Sequence, residues 1–308
     1  MISRRNIRVK VMQTLYSIET MEVETRPGQE VRILQKHFDQ TKQLFVYIIY
    51  FLTEVARYSE TAAVMRASKH LPTKEDLNVN TKSAGNEIVW KVLEDVSFQN
   101  ALKEDKPNLL IDREVVRRIY LKLAETDEYK QYISVEGRDK KAEKDILSFI
   151  FTQLLLPNDD FIYHIEELFT NWDDDCDMIN QLVLNYLQKP GTCNFQEMLS
   201  KDKWQYAKDL VETVLQKKSV TLDLIKPKLN NWDADRIATI DMILMQMGVC
   251  EFLFFETIPP KVTINEYIDL AKEYSTEQSG QFINGILDNI HKDLVNANSM
   301  SKVNFKKS

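Results

Sequence analysis

An all-α fold is predicted for this chain on three observations. Apolar residues recur at helical spacing along most of its length, and capping residues punctuate the periodic stretches. Helix breakers are also scarce, with seven Gly and eight Pro in 308 residues. Hydrophobic residues make up 44% of the chain, so these helices have a core to bury.

The first helix is read over 3–22, because Ile7, Val11, Leu15 and Ile18 follow at spacings of four, four and three and line one stripe. Arg26-Pro27-Gly28 ends it with turn chemistry. A long helix is predicted over 30–60, apolar nearly all round in its middle and therefore buried. Leu71-Pro72-Thr73 is a break, 78–85 an exposed loop, and helices follow near 86–102, 112–126, 138–156, 159–170, 175–188 and 203–218. The charged stretch 125–144, which contains Gly137, reads as a solvated turn region and a place for a domain boundary.

Phe169-Thr170-Asn171-Trp172-Asp173-Asp174-Asp175 is echoed by Leu229-Asn230-Asn231-Trp232-Asp233-Ala234-Asp235. Either a helical hairpin is duplicated, or Asn-Trp-Asp serves twice as an N-terminal cap. Ile237, Ile240, Ile243, Leu244 and Met247 then form a core stripe, and Pro259-Pro260 forces an extended turn. Thr263-Ile264-Asn265-Glu266 and Ser275-Thr276-Glu277-Gln278 read as capping boxes opening the last two helices. Gly285, inside the last, costs about 1 kcal/mol against Ala, which predicts a close helical neighbour.

Composition narrows the function classes. Cys176, Cys193 and Cys250 are odd in number and far apart, which fits a reducing cytoplasm better than a disulfide scaffold. The start lacks the apolar core of a signal peptide. The densest apolar run, 44–52, falls well short of the roughly 20 residues that span a bilayer, so no membrane association is expected. A net charge of −7 repels phosphate, so any nucleic-acid contact must be local.

No catalytic constellation, cofactor loop or metal set is expected. The glycines form neither a dinucleotide fingerprint nor a phosphate loop, and His37, His70, His164 and His291 lack ligand spacing. Asp173, Asp174, Asp175 and Asp177 could suggest a cation site, yet they open a predicted helix, whose positive end favours acids.

Arg4, Arg5, Arg8 and Lys10 carry the sharper signal. Cations at a helix start oppose its dipole by roughly 0.3 to 1 kcal/mol each, and a polyanion would offset that cost. A solvated basic tail is the alternative. Tyr16 lies on the side of Arg5 and Met12, next to Arg8, either as a base-stacking ring or as a core-edge tyrosine with a wet hydroxyl. Phe282 is in register with Ile286 and Ile290, so core packing is its default.

The order Trp232-Asp233, Arg236, Ile240-Asp241, Glu251, Pro260-Lys261-Val262, Ile264-Asn265-Glu266, Leu270-Ala271-Lys272 and Phe282-Ile283-Asn284-Gly285-Ile286-Leu287-Asp288 resembles the C-terminal half of the NusB family of transcription antitermination factors. Arg4-Arg5-Asn6-Ile7-Arg8, running on to Leu15-Tyr16-Ser17, resembles its N-terminal helix. The resemblance implies NusB-like helical bundles, enlarged by an extra helical insertion. It implies an N-terminal region over 1–202, made of the first helix plus the insertion, and a C-terminal bundle over 203–308. It also implies a non-catalytic RNA-binding factor acting on single-stranded boxA-type RNA of ribosomal RNA operons, with the ribosomal protein NusE and the RNA polymerase elongation complex. On this reading Arg4, Arg5, Arg8 and Lys10 hold phosphates. Tyr16, Tyr274 and Phe282 stack bases beside Lys272, and Asp241 faces the protein partner. The rival implication is a protein-only scaffold that keeps the fold without the RNA.

Overall fold

The structure is a computed structural model describing residues 2–21, 26–229 and 237–303. Those residues contain fifteen α-helices, short 3-10 and π segments, and no strand. They divide into two compact units, one of residues 39–198 and one of residues 2–38 with 199–308.

The first unit holds residues 39–67 of α2 (Gln29–Ala67), followed by α3 (Lys74–Leu77), α4 (Glu87–Glu94) and α5 (Val96–Asp105). Then come α6 (Arg113–Glu125), α7 (Asp127–Ser134), α8 (Lys140–Phe149), α9 (Asp159–Leu168) and α10 (Trp172–Gln188). The apolar middle of α2 is buried as predicted: Phe45 stacks on Phe195 at 5.2 Å, and Phe51 meets Phe161 edge-on at 4.9 Å. The single helix predicted over 86–102 is two, because Asp95 caps α5 by accepting the Ser97 amide at 2.9 Å.

The stretch 125–144 is not an open turn region and carries no boundary. Thr126 caps α7, Tyr129 and Tyr132 are buried, and the Tyr132 hydroxyl donates to the buried Glu143 at 2.9 Å. The local pattern hides this helix because α7 has only two inward residues among several charges. Asp175, one of the acids considered for a cation, is buried and accepts from Thr41 and Asn171, each at 2.7 Å.

The second unit contains α1 (Arg4–Glu19), the start of α2, α11 (Lys201–Gln216), α12 (Lys218–Ile225), α13 (Thr239–Phe254), α14 (Pro260–Tyr274) and α15 (Glu277–Asn296). Residues 2–38 fold with the C-terminal helices that follow residue 198, not with the insertion. The stripe of Ile7, Val11 and Leu15 is buried, and α1 packs on α11 and α13. The insertion is therefore a unit in its own right, set into the chain within α2.

Two local readings change. α14 begins at Pro260, where a proline's missing amide costs nothing, so Thr263 lies inside the helix and its hydroxyl turns inward to Glu251. Thr276, not Ser275, caps α15 and accepts the Ser279 amide at 3.0 Å. Gly285 has no neighbour within 4 Å of the place a Cβ would take. Close helical approaches occur instead at Gly248, where that atom would stand 2.9 Å from Leu287, and at Gly280, where it would stand 2.8 Å from Lys272. Trp232, Asp233, Arg236 and the rest of the second Asn-Trp-Asp copy from Asn230 to Asp235 lie outside the described residues.

Candidate nucleic-acid interface

The N-terminal cations start a helix that is well capped. Ser3 accepts the Asn6 amide at 3.1 Å, the Asn6 side chain answers to the Ser3 amide, and no acid occupies the first turn. Helical geometry then separates the four cations by angle, at about 100° per residue.

Arg4 is exposed, with its guanidinium 5.6 Å from the Tyr206 ring centroid on α11. Arg5 is about one third exposed; it donates to Glu273 at 2.7 Å and stands 3.9 Å from Asp269, both on α14. Tyr16 is 42% exposed. It lies eleven residues beyond Arg5, about 16 Å along the same side of the helix.

Arg8 and Lys10 are not on this surface. Lys10 is 1% exposed, and Arg8, at 2%, is among the largest fully buried side chains. The expectation that these two hold phosphates is corrected by that burial. Arg8 grips Glu251 of α13 through Nε at 2.8 Å and Nη2 at 3.2 Å, and reaches Glu266 of α14 at 3.3 Å. Glu251 is fully buried and also accepts from Tyr206 at 2.6 Å, Thr263 at 2.8 Å and Tyr267 at 2.9 Å. A buried carboxylate needs such a set, since desolvation without partners costs several kcal/mol.

Burial disfavours the charge on Arg8, but Tyr267, Glu251 and Tyr206 more than offset it, so the guanidinium is held even more firmly protonated than usual. Burial first, and Glu251 next, push the Tyr206 and Tyr267 phenols well above their ordinary value. Both hydroxyls therefore remain donors. Sequence reading missed this network, although two signals pointed to it. Glu251 is an acid inside a run of apolar residues, and Arg8 shares a helical face with Val11, Met12 and Leu15.

At the other end of the chain, Lys272 is exposed at its head while its stem lies over Gly280 of α15, whose missing Cβ would stand 2.8 Å from Lys272 Cγ. Lys272 and Tyr274 flank Glu273, the partner of Arg5, so the start of α1 and the end of α14 share one surface. Tyr274 and Phe282 are half-buried. Asp241, in the first turn of α13, is 6% exposed and accepts from Ser279 at 2.8 Å; its other oxygen, Oδ1, is buried with no hydrogen-bond partner among the described residues. Among the described residues no three His, Cys, Asp or Glu side chains converge as metal ligands, and no helix is long and apolar enough to cross a membrane.

The NusB family model matches residues 164–292. The transcription antitermination protein NusB of Finegoldia magna is 39% identical over 105 residues, covering 34% of this chain and 76% of that relative. That of Methylacidiphilum infernorum is 40% identical over 102 residues, covering 30% and 71%. A solved structure of T. maritima NusB is 31% identical, covers 40% of this chain and 82% of its own, and superposes with a TM-score of 0.31. With relatives of this identity matched over most of their own length, the chain belongs to the NusB family.

Proposed function

We propose that this protein is a transcription antitermination factor that binds single-stranded boxA-type RNA, and that it does so with NusE and the RNA polymerase elongation complex. One observation carries the RNA reading. Arg5 meets Glu273 near the end of α14, between Lys272 and Tyr274 in the sequence, Arg4 stands exposed beside it at the start of α1, and Tyr16 is exposed further along the side of α1 that Arg5 occupies. Guanidinium and ammonium groups take phosphates, while aromatic faces take unstacked bases. Glu273 holds Arg5 meanwhile, in an exposed ion pair that a phosphate competes with at little cost.

Arg8 has a positioning role in this reading. It fixes α1 to α13 and α14, and so sets where Arg4 and Arg5 stand. Phe282 supplies a further ring on α15. The first turn of α13, with Asp241, is assigned to NusE. Fluorescence anisotropy with a labelled boxA-type RNA tests the assignment. Arg4→Ala with Arg5→Ala is expected to weaken binding at least tenfold, and Tyr16→Ala about fivefold or more. Unchanged affinity in both would refute it.

The burial of Arg8 and Lys10 favours one other reading, a protein-only scaffold, because it halves the expected cationic patch. Partners recovered after nuclease treatment, with no RNA bound to the purified chain, would select that reading.

A further inference from the structure

Tyr16 is not the last exposed ring on this unit. One turn further along α1, Glu19 holds Lys218 Nζ at 2.8 Å through both carboxylate oxygens, which ties the end of α1 to the start of α12. Lys217, the residue before, places its ammonium 5.7 Å from the centroid of Phe254, the last residue of α13. Phe254 is 42% exposed, whereas its neighbour Phe255 turns to Tyr206, edge-on at 5.7 Å. Lys217 makes no ion pair among the described residues, and Glu19 is already neutralised by Lys218. Tyr16, the neutral Glu19–Lys218 pair, Lys217 and Phe254 thus follow one another around the junction of α11 and α12, with a ring at each end and one unpaired cation among the described residues between them.

From this order we infer that the RNA surface continues past Tyr16 to Phe254, with a base stacking on the Phe254 ring and Lys217 taking the adjoining phosphate. At 42% exposure this residue keeps apolar surface open to a ligand. Stacking on it is open to any base, and the neighbouring ammonium supplies the charge that a sugar-phosphate backbone requires. The segment bound here lies outside the one gripped by Arg4 and Arg5, so this surface lengthens the footprint of the strand. The inference rests on the RNA reading above.

Anisotropy with fluorescein-labelled single-stranded boxA-type RNA, over a series of salt concentrations, separates the two. Phe254→Ala is expected to weaken binding about fivefold or more, with Phe254→Trp restoring it. Lys217→Gln is expected to lower the slope of log affinity against log salt by about 0.7, the value of one single-strand phosphate contact. If both variants match the wild type while Arg4→Ala with Arg5→Ala binds poorly, this extension is wrong and the RNA reading stands. A wild-type chain that binds no RNA overturns both.

Discussion

Replacing Arg8 by Met removes one buried charge and leaves another behind. Glu251 would lose contacts at 2.8 and 3.2 Å and keep only the hydroxyls of Tyr206, Thr263 and Tyr267. Breaking a buried ion pair from one side costs about 3 to 5 kcal/mol, and the three remaining donors put Arg8→Met near the low end. At about 2 to 4 °C per kcal/mol for a domain of this size, about 3 kcal/mol lowers the melting temperature by about 6 to 12 °C. Glu251→Gln alone is also destabilising, but Arg8→Met combined with Glu251→Gln should cost less than the sum, with a coupling of at least about 1 kcal/mol. Thermal melts by circular dichroism measure all three, and RNA affinity is read well below the transition. The reasoning is refuted if Arg8→Met melts with the wild type yet binds RNA with a shallower salt slope, since that is the behaviour of a phosphate ligand.

Other expected outcomes are independent of that network. Gly248→Ala brings a methyl against Leu287 in the buried contact of α13 with α15 and should destabilise by about 1 to 3 kcal/mol in urea titrations, whereas Gly285→Ala, with open space around it, should stabilise by up to about 1 kcal/mol. His164 is held below its ordinary value of 6.5 by burial, with Nε2 2.5 Å from the Tyr47 hydroxyl. The fold therefore favours the neutral ring: stability is complete above about pH 6.5 and declines as acid charges the unfolded histidine first. Urea titrations between pH 7 and pH 5 should show that decline, and His164→Gln should flatten it.

The helices were legible where one face is apolar and the other polar. That explains α1, α6, α9 and α15, and the buried middle of α2. Short helices rich in charge were not, since two inward rings such as Tyr129 and Tyr132 do not make a period. The division of the chain was hidden because it depends on pairings such as Arg8 with Glu251, 243 positions apart, which no local pattern encodes. At the candidate site, residue type alone assigned Arg8 and Lys10 to the surface. Helical register placed Arg8 on the core side, and register prevailed because Glu251 waits there. Arg4, Arg5 and Tyr16 lie off the buried stripe, and the same register leaves them at the surface.

The salt dependence of RNA affinity tests the RNA reading most directly. For the wild-type chain, log affinity for a boxA-type single strand should fall linearly with log salt, and Arg4→Ala with Arg5→Ala should make the slope shallower by about 1.4, two phosphate contacts' worth. A slope identical in wild type and double variant would contradict the claim that these two arginines clasp the RNA backbone.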